Sequence, residues 1–217
     1  MMRRLDPRRP ALITAQGLRR IVLGGTEGER DLRHAAEAHV NVRRPRLAQA
    51  ATACLLVVTH ADAGGLDEHA RETIAAAALL ARADEAVVVV IPCDEPSLRL
   101  DAAGLGIDRL EVLPITQATT TDALAEAVAR RCALLQPRLV LVPDRGDDAD
   151  LARRVAVARG MSVAASVVEI AEGRARVRDH GAVGRRAGDA TASLADLGLL
   201  LVARQVARTE LPFLGSG

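Results

Sequence analysis

The segment PRLVLVPDRGDDADLARRVAVARGMSVAASVVEI, residues 137–170, decides the fold of this chain. Residues 139–142 are a short apolar, β-branched run, which is typical of a buried strand. Residues 143–146 interrupt that run, and a helical period of apolar residues then continues until Gly160 ends it. Residues 163–170 are a second apolar run. Strand, loop, helix and strand make one βαβ unit, whose two strands we expect to be parallel.

The same alternation of short apolar runs and helical periods extends on both sides of this unit. We predict strands at 53–59, 85–91, 109–113 and 196–203, and helices at 67–83 and 119–135. A weaker alternation at 173–179 favours an exposed edge strand, and a glycine- and alanine-rich loop is predicted at 181–193. Strands that alternate with helices in this way predict an α/β fold with a doubly wound, mostly parallel, Rossmann-like sheet and helices on both faces.

The composition divides the chain into three parts. Residues 1–50 carry 11 Arg against 5 Asp and Glu, and their apolar runs are short, so we predict a basic N-terminal arm, either a β-ribbon or irregular, followed by a helical patch at 31–39. The α/β domain is predicted at 51–210 and a C-terminal linker or tail at 211–217. A basic arm can bind nucleic acid or an acidic partner, or it can wrap over its own domain. Nucleic acid is disfavoured, because the chain has no Trp or Tyr on which bases could stack.

Several classes of protein are excluded or disfavoured by what the chain lacks. Every basic residue is arginine, so a Walker-type lysine, a Schiff-base lysine and a lysine general base are all excluded. Cys54, Cys93 and Cys132 lie in separate apolar segments and are interpreted as core residues of a protein in a reducing compartment. No run approaches the ~20 apolar residues that span a bilayer. We therefore expect a cytoplasmic protein that does not bind membranes.

The best-placed candidate site is the loop at 143–148. In parallel sheets, ligands bind beyond the carboxyl ends of the strands, and this loop also leads into a helix N-terminus, where free N–H groups attract anions. Asp144, Arg145 and Gly146 are therefore the weak candidates for cofactor binding. The alternative is a self-capped helix, because three aspartates at its start, which we expect to face water, would repel a phosphate.

The histidines do not form a catalytic or metal-binding pattern. His60 and Asp62 follow the first strand of the domain, which is a functional position in this architecture, but no second histidine or nucleophile lies near them in sequence. The remaining histidines lack metal-ligand spacing and are interpreted as surface residues: His34, His39, His69 and His180. We predict neither a catalytic constellation nor a metal site, and hence no enzyme.

Two segments resemble a known family. ACLLVVTHADAGGLDEHARETIAAAALLARA, residues 53–83, and QPRLVLVPDRGDDADLARRVAVARGMSVAASVVEI, residues 136–170, are similar to the first domain of an electron transfer flavoprotein α subunit. The RRLDPRRP and AQGLRRI segments of the arm resemble the divergent α subunits that accompany dimethylglycine-type and related N-demethylation systems. The resemblance covers most of the chain.

The resemblance implies a heterodimer with a β subunit of the same fold, which carries electrons from flavin dehydrogenases to a downstream acceptor. It also implies that FAD is held by a second α-subunit domain, which this sequence does not include, so no cofactor is expected on this chain alone. The serine- and glycine-rich loop by which the β subunit holds AMP is missing. Two other functions remain open: a stand-alone module for AMP or ATP, like universal stress proteins, and a small enzyme that uses His60 and the loop at 144–150.

Overall fold

The computed structural model describes residues 11–13, 19–21, 43–61, 64–93, 98–116, 118–179 and 187–217. The chain separates into two compact units, residues 1–43 and 44–217. In the first unit, strands β1 (Ala11–Ile13) and β2 (Arg19–Ile21) pair antiparallel and form the ribbon predicted for the arm. The helical patch predicted at 31–39 lies outside the described residues.

The second unit is built on an eight-stranded sheet with helices on both faces. In chain order, its elements are β3 (Ala53–Val58), α1 (Glu68–Leu80), β4 (Glu85–Cys93), β5 (Arg109–Pro114), α2 (Thr121–Leu135), β6 (Val140–Pro143), α3 (Gly146–Arg159), β7 (Val163–Ala171), β8 (Arg174–Asp179), β9 (Gly188–Ser193) and β10 (Leu199–Val202).

The strands lie in the order β5-β4-β3-β6-β10-β7-β8-β9. From β5 to β7 all neighbouring strands are parallel, whereas β8 and β9 each run antiparallel to the strand before them. The order reverses between β3 and β6, because β4 and β5 extend the sheet to one side and the later strands extend it to the other. The α/β class and the mostly parallel sheet are therefore confirmed.

The central strands are buried on both faces, which explains why their sequences are continuous apolar runs instead of alternating ones. Every residue of β6 and β10 is buried. On one face, α1 contacts the sheet through Ile74 and through small residues such as Ala70 and Ala77, each fully buried. Helices α2 and α3 cover the opposite face. The three cysteines are buried in this core and form no disulfide with one another, as predicted.

The edge of the sheet differs from the sequence interpretation. Residues Gly188–Ser193, predicted as part of a loop, form strand β9, and β8 lies one strand inside the edge where an edge strand was predicted. In the sequence GDATAS, alanines alternate with polar residues, but no large apolar side chain is present that could indicate a strand. Its extended conformation is accompanied by pairing with β8 over its whole length, from Asp179 opposite Gly188 to Arg174 opposite Ser193.

The last residues pack on the domain, where the sequence suggested a linker or tail at 211–217. Leu211 is 4% exposed, and its Cδ1 lies so near Gly106 (φ +79°) that a Cβ on this glycine would be 2.5 Å away. Leu214 pairs in parallel with Pro45: its N–H donates to the Arg44 carbonyl (2.9 Å), and its carbonyl accepts from the Arg46 N–H (2.8 Å). The second compact unit consists of residues 44–217 and therefore includes residues 211–217.

Arginine–carboxylate pairs close the amino end of the parallel sheet. Glu85, the first residue of β4, is 2% exposed. Its carboxylate accepts hydrogen bonds from Nε and Nη2 of Arg138, the latter at 2.8 Å, and from the Arg82 N–H at 2.9 Å. Arg46 donates to the carbonyls of Arg82 (2.8 Å) and Glu85 (2.6 Å) and pairs with Asp108. The contacts of Arg46 attach the beginning of the second unit to the starts of β4 and β5.

Candidate functional site

The candidate site lies where the strand order reverses, beyond the carboxyl ends of β3 and β6. Open parallel sheets bind their ligands in the crevice at this point, because the loops that follow the two strands diverge to opposite faces. Here Thr59 and His60 follow β3, and Asp144 and Arg145 follow β6. The fold therefore brings together two loops that are more than 80 residues apart in the sequence.

Asp148 joins the two loops. Its side chain is 2% exposed although it stands in the first turn of α3, where the sequence suggests a solvent-facing aspartate. Oδ1 accepts hydrogen bonds from the His60 N–H (2.8 Å) and from His60 Nδ1 (2.7 Å), and Oδ2 accepts from Arg145 Nε (2.8 Å). Thr59 Oγ1 lies 3.4 Å from the same Oδ2. A buried carboxylate needs such donors, and Asp148 has them from three other residues.

Asp148 also determines which nitrogen of His60 carries a proton. A carboxylate only accepts hydrogen bonds, so Nδ1 must donate, and the neutral ring then has Nε2 as its acceptor. Because Nδ1 is occupied, Nε2 is the ring nitrogen that remains for a ligand. The His60 side chain is 28% exposed, which is enough for contact with a bound molecule.

Arg145 is held by two carboxylates. Besides its hydrogen bond to Asp148, its guanidinium pairs with Asp67, which caps α1 by accepting from the Ala70 N–H at 2.9 Å. Arg145 is also the N-cap residue of α3 and makes no capping hydrogen bond with its side chain. Its charge is thus used to connect α1, α3 and the end of β3, and little of it is available to a phosphate.

The other two predicted cofactor-binding residues are directed elsewhere. Asp144 Oδ2 accepts from the Ser166 N–H (2.9 Å) and Oγ (3.1 Å), which fixes a bulge in β7 where Ser166 has φ +53°. Gly146 begins α3 with φ +33°, and a Cβ there would meet no atom within 4 Å. Asp144, Arg145 and Gly146 are neighbours in sequence, but the side chain of Asp144 binds β7, whereas that of Arg145 binds Asp67 before α1 and Asp148 in α3.

A cleft of about 220 Å³ opens beside His60. Its floor is apolar and its wall is formed by threonines at the start of α2, and its lining comprises His60, Ile115, Thr116, Thr119, Thr120, Thr121, Leu124, Asp147 and Leu151. Two hydroxyls of that wall are engaged in the backbone: Thr119 Oγ1 accepts from the Thr116 N–H (2.9 Å), and Thr120 Oγ1 accepts from the Ala123 N–H (3.2 Å). The cleft is smaller than the roughly 300–1,000 Å³ of typical ligand pockets.

The described residues place an oriented imidazole at the cleft. An imidazole oriented by a buried carboxylate resembles the base of a catalytic triad, but such a triad also needs a nucleophile within hydrogen-bonding distance of the base. No hydroxyl or thiol of the described residues makes such a hydrogen bond with His60 Nε2. The described residues also contain no group of three His, Cys, Asp or Glu side chains that could hold a metal ion.

A second cleft, of about 580 Å³, lies on the opposite side of the sheet between the start of α1 and residues 205–210. Three carboxylates contribute to it, those of Glu68, Glu72 and Glu210, against the single guanidinium of Arg208. Glu72 is 8% exposed and accepts from the Gln205 N–H at 2.8 Å, so it mainly holds the chain that leaves β10. The acidic lining disfavours phosphate-containing ligands.

His69 lies in the interior, which corrects its interpretation as a surface residue. It is 3% exposed, and its Nε2 lies 2.8 Å from the Val202 carbonyl at the end of β10, so Nε2 carries the proton. Val202 is 133 residues away in sequence, and no local pattern indicates this partner. His34, His39 and His180, like Asp62, lie outside the described residues.

The arrangement of this unit, with its parallel sheet extended by an antiparallel hairpin, agrees with a comparison against protein families. The sequence model of the family described as "Electron transfer flavoprotein domain" matches residues 54–206, well over half of the chain. The chain belongs to the electron transfer flavoprotein domain family. The match begins at the second residue of β3 and ends just beyond β10, so it includes all of the eight-stranded sheet except Ala53, together with the candidate crevice and the β8–β9 hairpin. A search of curated proteins finds no match.

Membership of the electron transfer flavoprotein domain family confirms, at the level of the family, the resemblance drawn from residues 53–83 and 136–170. Proteins of this family are electron carriers rather than enzymes, and they function with a family partner. Among the described helices, none is both long and apolar enough to cross a bilayer.

Proposed function

We propose that this chain is the α-subunit-type scaffold domain of a two-subunit electron transfer flavoprotein. It pairs with a β subunit of the same fold, and FAD is held by a separate domain of the assembly while electrons pass from a flavin dehydrogenase to a downstream acceptor. The family match over residues 54–206 is the observation that carries the proposal. The subunit type rests on the resemblance of the arm and of the two quoted segments.

The two clefts beside the sheet support a flavin site outside this domain. The cleft at His60 measures about 220 Å³, too little for a dinucleotide, and the larger one at Glu72 is lined by three carboxylates that would repel the pyrophosphate. An isoalloxazine ring is also commonly stacked on aromatic side chains. The single Phe of the chain, Phe213, packs against the core instead. These residues do not fit FAD.

The alternative of a stand-alone AMP or ATP module has weaker support. It requires Arg145 as the phosphate ligand, yet this guanidinium is paired with Asp67 and Asp148. A phosphate would have to displace one of these carboxylates and would then lie near the other, at a Coulombic cost.

The first experiment is to purify the chain alone, denature it and identify any released nucleotide by mass spectrometry. We expect neither FAD nor an adenine nucleotide in stoichiometric amount. Coexpression with a β-type subunit of the family should give a complex of both chains on size-exclusion chromatography with light scattering. Stoichiometric FAD on the isolated chain would refute a flavin site elsewhere, and stoichiometric AMP or ATP would establish the alternative module.

The basic arm is proposed to bind the partner subunit. Deletion of residues 1–43 should weaken the complex while the remaining unit stays folded. The cut belongs before Arg44 and not at residue 50, since Arg44 and Arg46 take part in the contacts with Leu214 and Asp108. Thermal unfolding of the truncated chain is the control for folding. An unchanged dissociation constant for the partner would contradict a role of the arm in the complex.

A further inference from the structure

The β8–β9 hairpin forms one edge of the sheet that the structure describes. Among the strands that the structure describes, β9 has only β8 as a neighbour. Natural edge strands usually carry protection against pairing with other chains, such as a proline, a bulge, or charged side chains. Strand β9 has no proline, its ladder to β8 runs without a shift, and its single charge, Asp189, is bound by Arg176 at 3.0 Å.

The register of the hairpin shows which main-chain groups face outward. The Leu194 N–H donates to the Gly173 carbonyl at 2.9 Å, and this pair continues the register of Arg174 opposite Ser193. Hydrogen-bonded and non-hydrogen-bonded pairs alternate along an antiparallel ladder. Residues 188, 190 and 192 therefore bond to β8, whereas the N–H and C=O groups of Asp189, Thr191 and Ser193 point away from the sheet.

One face of the hairpin is basic. Arg174, Arg176 and Arg178 alternate along β8, so their side chains share this face, and all three residues are exposed. Arg176 is neutralised by Glu169 (2.7 Å) and Asp189. Arg174 and Arg178 form no ion pair with any residue that the structure describes. Their neighbours on β9 are Ser193 and Asp189, with Thr191 between them, and these short side chains leave both guanidinium groups room to reach a strand placed beside β9.

The opposite face is apolar and consists of small residues. Ala175 is fully buried and Val177 is half-buried at the margin of the core, and beside them on β9 stand Ala192 and Ala190. Ala190 is exposed, so the apolar surface of the core continues onto an uncovered strand. A neighbouring strand with larger apolar side chains on this face would cover these alanines.

We infer that β9 is a docking edge for an extended segment of a partner polypeptide in which acidic and apolar residues alternate. Its main chain would bond to Asp189, Thr191 and Ser193, its carboxylates would lie on the face of Arg174 and Arg178, and its apolar side chains would lie on the other face. Such strand addition takes affinity from main-chain hydrogen bonds and specificity from alternate side chains. The inference does not depend on the electron-transfer role.

A second copy of this chain fits the edge less well. Its β9 would bring only one carboxylate, that of Asp189, which is already bound by Arg176, so Arg174 and Arg178 would remain unpaired. On the apolar face, it would place alanines and a glycine against alanines and leave a gap. The charge and the side-chain volume of the edge therefore both favour a different, acidic strand.

The probe for this inference is a fluorescently labelled peptide in which valine and glutamate alternate, titrated with the full chain and followed by anisotropy. We expect saturable binding, and weaker binding by about tenfold for a peptide of the same composition with its glutamates grouped at one end, which keeps the charge but cannot alternate its faces. Absence of saturable binding, or equal binding of the two peptides, would overturn the inference.

Substitutions on the edge then test the main-chain and the side-chain parts of the contact separately. Thr191→Pro removes an outward N–H without touching a bond to β8 and should weaken binding about tenfold, whereas Thr191→Val keeps the N–H and should bind as the native chain does. The double variant Arg174→Glu/Arg178→Glu should lose the glutamate peptide and gain an otherwise identical lysine peptide. That exchange decides the matter even if the proline variant does not fold, and its failure would refute the basic face as the recognition surface.

Amide hydrogen exchange measured by NMR gives the most direct test. On peptide binding, the amides of residues 189, 191 and 193 should become protected, since those of 190 and 192 are already bonded to β8. Protection elsewhere, or concentration-dependent protection of the same amides without peptide, would overturn the inference, the latter in favour of a second copy.

Discussion

The two ends of the parallel sheet both bury a carboxylate, but only one of them remains open. Glu85 at the amino end and Asp148 at the carboxyl end each have side chains that are 2% exposed, and each is neutralised by an arginine. At the amino end, the partners of Glu85 are Arg138 and backbone groups, and residues 44–46 and 211–217 pack nearby. At the carboxyl end, Asp148 also accepts a hydrogen bond from the His60 side chain, and His60 lines a cleft. The comparison indicates that a buried carboxylate paired with arginine can either close one end of the sheet or hold a further side chain beside a cleft.

The largest effect is expected from Glu85→Gln, at the closed end. This change leaves Arg138 without its counter-ion and should lower the free energy of unfolding by about 3 kcal/mol, as measured by urea denaturation at neutral pH. The matched control is Glu126→Gln, which affects an exposed i,i+4 pair with Arg130 (2.6 Å) and should change the stability by less than ~0.5 kcal/mol.

The pH dependence of the free energy of unfolding tests whether the charge of Glu85 causes this effect. Burial acts to raise the pKa of Glu85, but the hydrogen bonds from Arg138 and from the Arg82 N–H, with the charges of both arginines, lower that pKa below its ordinary value. The ionised carboxylate therefore stabilises the fold at pH values above the unfolded-state pKa, and this contribution is lost as the pH falls through the folded-state pKa. Native chain and variant should converge in stability in acid; a gap that persists there would show that the charge of Glu85 is not the cause.

A smaller effect is expected from Asp148→Asn, at the open end. The asparagine side chain has the shape of the aspartate but lacks its negative charge opposite Arg145 and one of its oxygen acceptors. The free energy of unfolding should therefore fall by about 2 kcal/mol. Asp147→Asn is the control, because Asp147 adjoins it in the same helical turn but is exposed. If both variants lost equal stability, helix-terminal charge and not the contact between the two loops would explain the role of Asp148.

The smallest effect is expected for the reactivity of two buried cysteines, Cys54 and Cys132, in the core between the two ends of the sheet. Burial raises the pKa of the Cys132 thiol to about 11 and also raises that of Cys54, to which the nearby Glu85 carboxylate contributes. Neither thiol should react with iodoacetamide at neutral pH faster than the chain unfolds, because the thiolate is the reactive form. Peptide mapping by mass spectrometry after timed labelling will identify each cysteine, with labelling in denaturant as the reference. Rapid labelling of either residue in the folded chain would mean that the core opens locally.

The central strands could be predicted because their sequences are determined by burial on both faces. The runs around Val140 and Val89 are apolar without interruption, and Gly160 ends α3 in the left-handed conformation (φ +61°) that the glycine suggested. Strand β9 could not be predicted, since its six small residues pair with β8 only because the chain folds back on itself there.

The crevice could be predicted in position but not in its contacts. Topology places ligands at the ends of β3 and β6, and the loop at 143–148 was identified on that basis. Besides the neighbouring Arg145, however, the partners of Asp148 are His60 and Thr59, at sequence separations of 88 and 89 residues, and no local pattern encodes these two. Likewise, the engagement of Arg145 with Asp67 depends on the N-terminus of α1 reaching the same crevice.

The parallel pairing of Pro45 with Leu214 has a mechanical consequence. Because the two segments run in the same direction, tension applied to the domain through residues 44 and 217 would pull them past each other lengthwise. The Leu214–Arg44 and Arg46–Leu214 hydrogen bonds and the Arg46–Asp108 pair would then bear the load together instead of breaking one after another. The two ends of this domain are thus joined by contacts that would be loaded in shear. A force between polypeptides attached at these ends would then pass through the contacts without first unfolding the sheet.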